Sequence, residues 1–428
     1  MPARRSGRLC AAVVAVVVLA LAGACSSDHP SSPAAGPTQQ QAQALLNRLG
    51  ADVLAHRTAD FLSGLDQSTA AAAFRSEQRT DLTNLAAVPF ASWSYSIEAV
   101  DHTASVTAAA TKTFGTPAVV LQVSLRYALR GVDLEPTMHD LWLTFVRRGG
   151  HTYLAADDAL AASGLTSWAG PWRYGKLAAV RGSASLVLGP AGEVALLRTL
   201  ATEVDAAIPA VTAVWGSNWA RRVAVIVPAS AAEFATLAGG DGSIADISAA
   251  AVTDGVDAVS NRPYGQRLVL NPQALSRLSV VGRGIVLRHE ITHLASAVDT
   301  SDISPRWLVE GLAEYVANLH TGQSVPTAAQ ELHALVKAGK IPMQLPGDGA
   351  FAASSATAVA QAYEESWLAC RLIAAKAGAA GLRRLYSQVG TALEPAVPAL
   401  AAALRDVLHE SSAQFVAAWR AYVQTQLS

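Results

Sequence analysis

The sequence predicts an α+β fold made of two structured regions, and three observations support this prediction. First, residues 41–162 open with apolar residues at helical spacing and continue with stretches in which apolar and polar residues alternate, as in strands. Second, residues 181–428 combine a few short apolar strands with long helical patterns. Third, 51% of the 428 residues are hydrophobic, which is enough to fill more than one core. We therefore expect an α+β region followed by a mostly helical region with a small sheet.

The charge balance and the cysteine usage exclude several classes of protein. The 32 basic and 33 acidic side chains leave a net charge of −1, without the long basic run that binds nucleic acid. Of the three cysteines, only Cys370 lies beyond the first 25 residues, so the folded regions cannot contain an internal disulfide framework. Cys370 lies in an apolar helical pattern and is predicted to be a small buried side chain.

Residues 1–24 are typical of a signal peptide. Arg4, Arg5 and Arg8 precede an apolar run that is too short for a comfortable membrane span. The small residues before Cys25 resemble a bacterial lipobox, in which the cysteine becomes the lipidated N-terminus. The same segment also has the A-x-A form that ordinary signal peptidase cleaves. A membrane lipoprotein, a secreted protein and a retained anchor are all open, and each places the folded regions outside the cytoplasm.

Two segments of different character follow the leader. Residues 25–40 are rich in Ser, Pro, Ala, Gly and Gln and are predicted to be a disordered tether. Residues 41–162 are predicted to form helices and then strands at 93–97, 122–130 and 141–145. His139 and Asp140 are neighbours on a strand and point to opposite faces, so they do not form a catalytic pair. We expect this region to be a structural or binding module.

The order of helices followed by long antiparallel strands resembles the NTF2-like cone-shaped fold, and the resemblance implies that fold for residues 41–162. Residues 163–180 are predicted to be a linker to the second region. This linker contains Trp168 and Trp172, and two tryptophans in so short a connector indicate contact with both flanking domains.

Residues 181–428 are predicted to begin with alternating strands and helices. The predicted strands are 184–188, 223–227 and 266–270, and the predicted helices are 192–208 and 231–237. We expect the strand 266–270, which directly precedes the next helix, to be an edge strand. Such a strand can bind an extended peptide through its free backbone groups.

The next helix carries the motif H-E-x-x-H as His289, Glu290 and His293. Residues four apart lie on one face of a helix, so the two imidazoles point at one position, as a tetrahedral metal requires. Glu290 is adjacent to them and is placed to accept a proton from water bound to the metal. The spacing therefore predicts a zinc site in which Glu290 is the general base.

A second helix is predicted to complete the site. The sequence Pro305-Arg306-Trp307-Leu308-Val309-Glu310-Gly311-Leu312-Ala313-Glu314-Tyr315 reads as a loop that enters a helix, on which Glu310 and Glu314 share one face. Sixteen residues with turn-forming character separate His293 from Glu310. A helix, a turn and an antiparallel helix can therefore bring Glu310 against the two histidines.

The two motifs together resemble the gluzincin metallopeptidases, and most of all the bacterial peptidase MA-like group. The resemblance covers H-E-I-T-H, W-L-V-E-G-L-A-E-Y and a later A-Y-x-x-S at Ala362 to Ser366, and it implies a zincin-like domain in residues 181–428. It implies that Glu310 is the third zinc ligand and that Glu314 orients a histidine. It also implies that Tyr363 donates a hydrogen bond to the oxyanion. His320 is a weaker ligand candidate, because the resemblance already supplies three ligands.

The function predicted from these patterns is an extracytoplasmic zinc metallopeptidase that hydrolyses peptide bonds in a peptide or protein substrate. The alternative is a tethered binding or envelope-assembly module that keeps the metallopeptidase fold without the reaction. The motif residues do not decide between endopeptidase and exopeptidase activity. The expected cofactor is Zn²⁺, and the expected membrane contact is a lipid anchor on Cys25.

Overall fold

A computed structural model describes residues 36–98, 104–239 and 247–428 of the chain. The predicted signal peptide at 1–24, the lipidation site at Cys25 and most of the predicted tether lie outside the described residues. Among the described helices, none is both long enough and apolar enough to cross a membrane.

The N-terminal region places helices against one antiparallel sheet. Its elements are α1 Gln39–Leu54, α2 Thr58–Ser63, α3 Ala72–Asn84, β1 Phe90–Ile97, α4 Ala104–Phe114, β2 Ala118–Leu129, β3 Thr137–Arg148 and β4 His151–Ala156. The strands pair antiparallel in the order β1-β2-β3-β4. A capping box formed by Thr38 and Gln41 begins α1, because these side chains satisfy free backbone N–H groups. The alternating residues predicted the first three strands, whereas β4 was not predicted.

The second region begins with strands and two helices. These elements are β5 Leu177–Arg181, β6 Ser185–Pro190, α5 Val194–Trp215, β7 Val223–Ile226, α6 Ala231–Leu237, β8 Ala249–Val252, β9 Gly255–Asp257, β10 Arg262–Tyr264 and β11 Arg267–Leu270. Five of the strands form one sheet in the order β5-β6-β7-β11-β8. Strands β6, β7 and β11 run parallel, while β5 and β8 are antiparallel to their neighbours. The strands β9 and β10 form a separate hairpin.

The sheet is buried on both faces. Val187, Val225 and Leu268 pack into the core that contains the later helices, whereas Leu186 and Leu188 pack into the core of the N-terminal region. Neighbouring residues of a strand point to opposite faces, so both sides need apolar residues, and this explains why these strands are continuous apolar runs.

The prediction of the edge strand was wrong in its position. The strand at Arg267–Leu270 lies inside the sheet between β7 and β8, and the edge on that side of the described sheet is β8. The sequence of β8 is Ala249-Ala250-Ala251-Val252, which has neither the β-branched content nor the polar alternation that identify a strand.

The remaining elements are helical. They are α7 Pro272–Leu275, α8 Val280–Ser296, α9 Arg306–Asn318, α10 Val325–Ala328, α11 Gln330–Lys337, α12 Ala356–Gly390, α13 Ala396–Leu408 and α14 Ser412–Leu427. Helix α12 changes direction at Gly378, which has φ +72°. Helix α5 continues through Pro209 to Trp215, beyond the predicted end at residue 208, because Val211, Val214 and Trp215 are buried in the core.

Trp172 of the predicted linker packs against the N-terminal region, and the end of that linker, from Leu177, forms β5. Trp172 is 6% exposed and joins the N-terminal core together with Leu177 and Leu186 of the five-stranded sheet. The structure is therefore an α+β fold with a helix-and-sheet region followed by a mostly helical region with a small sheet, and the predicted fold class is confirmed.

Candidate metal centre

Helix α8 holds the H-E-x-x-H residues because its opposite side is anchored in the core. The Ser279 side chain accepts a hydrogen bond from the Gly282 N–H and begins the helix. Leu287 and Ile291 are fully buried and Leu294 is 4% exposed. This apolar stripe fixes the rotation of the helix, so that His289 and His293 share the face turned toward α9.

Helix α9 is held in place by the residues that surround Glu310 in its motif. Trp307 and Leu308 are buried, and the Trp307 ring stacks on Phe415 with centroids 6.2 Å apart. A Cβ atom on Gly311 would lie 2.4 Å from the Ser366 carbonyl oxygen and 2.8 Å from the Cys370 sulfur. The glycine is therefore required for the close approach of α9 to α12, and this approach sets the position of Glu310.

The structure brings the side chains of His289, His293 and Glu310 together at one point. The Nε2 atoms of the two histidines are 3.1 Å apart. The Glu310 Oε2 atom lies 3.4 Å from His289 Nε2 and 3.5 Å from His293 Nε2. All three side chains are largely buried, with exposed fractions of 13%, 22% and 12% in that order.

These separations fit a tetrahedral metal ion. Ligand atoms bound to Zn²⁺ at about 2.0–2.1 Å in tetrahedral geometry lie about 3.3–3.5 Å from one another. Two imidazoles and one carboxylate form a common donor set for catalytic zinc, and they leave the fourth position open. Among the described residues, this is the only group of three or more His, Cys, Asp or Glu side chains with convergent ligand atoms.

Glu314 holds His289 from the other side of its ring. The Glu314 Oε1 atom lies 3.0 Å from His289 Nδ1, and its Oε2 atom accepts a hydrogen bond of 2.9 Å from the Asn318 side chain. A hydrogen bond from Nδ1 fixes the ring orientation and leaves Nε2 free for a metal. Sequence reasoning missed Asn318, although its spacing of four residues from Glu314 on a helix was visible.

Arg306 was also missed, and it contacts the second oxygen of the Glu310 carboxylate. Its Nε atom lies 3.4 Å from Glu310 Oε1. This contact leaves Oε2 for the point shared with the histidines. The Arg306 guanidinium also lies over the Phe351 ring, 5.1 Å from its centroid. The i,i+4 spacing of Arg306 and Glu310 is the sequence signal that could have identified this pair.

Tyr363 lies at the border of the same site. Its ring centroid is 6.2 Å from the His289 ring and 5.2 Å from the Phe351 ring. Burial raises the pKa of Tyr363 to about 12, so its hydroxyl keeps its proton and can donate a hydrogen bond. Its role in stabilising an oxyanion stays a prediction.

The Glu290 carboxylate forms a hydrogen bond with the edge strand β8, and it is not one of the three converging side chains. Its Oε2 atom accepts a hydrogen bond of 2.8 Å from the Ala251 N–H of β8. Burial raises the pKa of Glu290, although the neighbouring histidines and the Ala251 bond act in the opposite direction. The carboxylate is thus held between the helix and the sheet edge.

The charges of the three converging groups are coupled. Burial alone would lower the pKa of His289, but hydrogen bonds with Glu310 and Glu314 outweigh this effect and raise the pKa above its usual value. Burial alone would raise the pKa of Glu310, but hydrogen bonds with His289 and His293 hold the pKa below its usual range. The carboxylates thus make this pocket favourable for positive charge, whether a proton or a metal ion supplies it.

The weaker ligand candidate His320 and two other residues named in the sequence analysis lie outside the converging group. His320 is exposed and is not part of the convergent set. The Ser366 hydroxyl donates to the Ala362 carbonyl inside α12. Cys370 is a free, fully buried cysteine, as predicted.

Comparisons with known proteins give distant structural similarities. No protein-family model and no curated protein matches the chain. One similar structure is a glutamate-to-alanine mutant of a two-domain M1 zinc metallopeptidase bound to L-arginine, with a TM-score of 0.32 and 14% identity, covering 72% of this chain and 61% of the other. Another is a glutamate-to-alanine mutant of an M1 zinc metallopeptidase from Deinococcus radiodurans, with a TM-score of 0.33 and 13% identity, covering 78% and 71%. The chain thus spans about 61% of the length of the first of these proteins.

Proposed function

We propose that this chain is an extracytoplasmic zinc metallopeptidase that hydrolyses peptide bonds. The observation that carries the proposal is the convergence of His289 Nε2, His293 Nε2 and Glu310 Oε2 within 3.5 Å of one another. Their separations fit tetrahedral Zn²⁺, and Glu290 lies on the same helix beside a sheet edge.

Each residue of the site has one task in the proposed reaction. His289, His293 and Glu310 hold Zn²⁺, which supplies Lewis acidity for water and for the scissile carbonyl. Glu290 accepts the proton of the attacking water and delivers it to the leaving amine. Glu314 keeps the His289 ring in orientation, and Tyr363 donates a hydrogen bond to the oxyanion.

The edge strand β8 suits a substrate in extended conformation. Ala251 turns its N–H away from β11 and donates it to Glu290. In an antiparallel strand the N–H and C=O of one residue point to the same side, so the C=O of the partly exposed Ala251 also faces away from β11. A peptide that pairs with this edge passes directly beside Glu290. The proposed substrate class is therefore an extended peptide or an unfolded segment of a protein.

The same proposal includes three further assignments. They are the gluzincin and peptidase MA-like assignment, the NTF2-like assignment of the N-terminal region, and the location outside the cytoplasm. The motif residues around His289 and Glu310 support the first, and the helices packed on the sheet β1-β2-β3-β4 support the second. The leader sequence supports export, with a lipid anchor on Cys25. A Cys25→Ser variant should move from the membrane fraction to the soluble extracytoplasmic fraction, and an unchanged distribution would contradict the anchor.

The test of the reaction is digestion of a broad peptide library by the purified chain with and without a chelator. We expect about one zinc per chain and cleavage that stops on chelation and returns with Zn²⁺. Glu290→Gln should retain zinc and lose cleavage by a factor of about 10² or more. Glu77→Gln removes an exposed carboxylate of the N-terminal region and serves as the matched control.

The library also separates the proposal from the non-catalytic alternative. A zinc-loaded chain that binds library peptides without cleaving them would support a tethered binding module. A chain that neither retains zinc nor cleaves peptides would remove both the metal site and the reaction.

A further inference from the structure

A second cavity lies on the face of the five-stranded sheet that is opposite to α8. Its volume is about 310 Å³, within the range of small-ligand sites. Tyr127 and His139 line it from the N-terminal sheet, Trp168 lines it from the connector, and Val252 and Arg267 line it from β8 and β11. The cavity therefore belongs to the junction of the two regions.

Among the described residues that line this cavity, Arg267 is the one lysine or arginine, and its charge is already neutralised. The Arg267 guanidinium forms two hydrogen bonds with the Asp133 carboxylate, at 2.6 Å and 2.8 Å, and both side chains are buried. Burial lowers the pKa of His139 to about 3, so this imidazole is uncharged at neutral pH. Neither group provides free positive charge for an anionic ligand.

Asp254, in contrast, has no full counter-charge. Its side chain is 23% exposed and lines the cavity, and the Thr137 hydroxyl donates a hydrogen bond to its Oδ2 atom. Among the described residues, no lysine or arginine forms an ion pair with Asp254, and the neutral His139 lies 3.9 Å away. Burial raises the pKa of Asp254, although the Thr137 hydrogen bond and the charge of Arg267 act in the opposite direction.

Aromatic rings surround the same carboxylate. His139 and Trp168 are stacked in parallel with centroids 3.7 Å apart, and the Tyr127 ring lies 5.7 Å from His139. The Arg267 guanidinium already lies over the Tyr127 ring, 5.7 Å from its centroid, so a ligand cation would meet the stacked rings of His139 and Trp168, with the Asp254 carboxylate beside them. The apolar side chains of Ile226 and Leu237 complete the wall and can cover an alkyl chain.

We propose that this cavity binds a small organic cation, a primary ammonium or a guanidinium on a short alkyl chain. The charged head group contacts Asp254 and the aromatic rings, and the alkyl part lies against Ile226 and Leu237. An anionic ligand is disfavoured because the Arg267 charge is used by Asp133, and an uncharged apolar ligand would cover Asp254 without a partner. The inference is independent of the proposed peptidase function, because none of its residues belongs to the candidate metal centre.

The test is calorimetric titration of the full, zinc-loaded chain with four probes of similar size. These are n-butylammonium, n-butylguanidinium, the neutral 1-pentanol and the anionic butyrate. We expect both cations to bind about tenfold or more tightly than 1-pentanol, and butyrate not to bind. Equal affinity for all four probes, or no binding of the cations, would overturn the proposal.

Two variants locate the binding. Asp254→Asn should weaken n-butylammonium binding by about tenfold or more. Asp257→Asn makes the same change at an exposed position three residues away and should leave the affinity unchanged. If Asp254→Asn does not fold, the probe series on the unchanged chain still decides the question. Cation binding that Asp254→Asn leaves intact would place the ligand elsewhere and contradict the proposal.

Discussion

The molecule places a histidine beside carboxylates in two regions, and the two arrangements differ in kind. In the candidate metal centre, three ligand atoms from His289, His293 and Glu310 converge within 3.5 Å. In the second cavity, His139 lies flat against Trp168, and the Asp254 carboxylate is 3.9 Å from its Nε2 atom. Convergence of donor atoms on one point suits a metal ion, whereas donors spread around a cavity suit a larger organic ligand.

The physical origin of the difference lies in how each histidine is held. A hydrogen bond from Nδ1 to Glu314 turns the His289 ring so that Nε2 points to the shared position. Within the described part of the chain, no carboxylate is paired with Nδ1 of His139, and this ring is oriented by stacking, with the Thr137 hydroxyl 3.2 Å from its Nε2 atom. A histidine close to a carboxylate therefore indicates a metal ligand only when the hydrogen-bond partner of its second ring nitrogen is also known.

The largest expected difference between the two regions is in zinc binding. His293→Ala should reduce the zinc content from about one per chain to nearly none, with a loss in affinity of more than about 100-fold, because a direct ligand is removed. His139→Ala should leave the zinc content unchanged. Competition with a chromogenic chelator measures both. Equal zinc loss in the two variants would contradict the distinction between the two regions.

A smaller effect is expected for the carboxylate behind each histidine. Glu314→Ala should weaken zinc affinity by about 10- to 100-fold while the stoichiometry is kept, because the His289 ring loses its orientation. Asp254→Asn is the control from the second cavity and should not change zinc affinity. Unchanged zinc affinity in Glu314→Ala would show that the Nδ1 contact does not support the ligand.

Helix packing provides the next comparison. Gly311→Ala places a Cβ atom 2.4 Å from the Ser366 carbonyl oxygen, so α9 must move away from α12. We expect unfolding to become easier by about 1–3 kcal/mol, measured by denaturant titration, together with weaker zinc binding. In Gly284→Ala on α8 the Cβ atom would meet only the Arg288 side chain, at an ordinary contact distance of 3.8 Å, so this variant should be neutral or stabilised by about 0.4–1 kcal/mol. Equal stability of the two variants would contradict the close-approach argument.

The smallest expected effect is a difference between the two regions in how their buried carboxyl groups make stability depend on pH. Burial raises the pKa of Asp81 in the N-terminal region to about 6, against the opposing effect of Arg173. Burial raises the pKa of Glu364 to about 8, with a further contribution from Glu331, and raises the pKa of Glu365 to about 7. A carboxyl group with a raised pKa stabilises the fold most at low pH and loses this contribution as the pH rises to its folded pKa.

Above about pH 7, the remaining decline in stability from these three groups therefore comes mainly from Glu364. Between about pH 7 and pH 8, we expect the Tm of the chain to fall by about 1–2 °C and the fall to be smaller in Glu364→Gln. Asp81→Asn should not alter the slope in that range. Scanning calorimetry at a series of pH values measures this, and an unaltered slope in Glu364→Gln would argue against the raised pKa.

Much of the candidate metal centre could be predicted from the sequence because its signals are local. The spacing of His289 and His293 fixes them on one face of a helix, and the same rule places Glu310 and Glu314 together. The contacts of Arg306 and Asn318 obey this rule as well, yet they were missed because such pairs are common on helix surfaces. The position of Glu290 against Ala251 could not be predicted, because it joins residues that are 39 positions apart.

The sequence by itself determined the fold class, the two helices of the candidate metal centre and the identities of the three converging side chains. Helix periodicity is a property of neighbouring residues, so it can be read without the fold. Only the tertiary structure decided which strand forms the sheet edge, since the Ala-rich β8 has no strand pattern of its own and is held by its pairing with β11. Only the tertiary structure decided that Asp254 faces His139 and Trp168, because packing between the two regions brings these residues together.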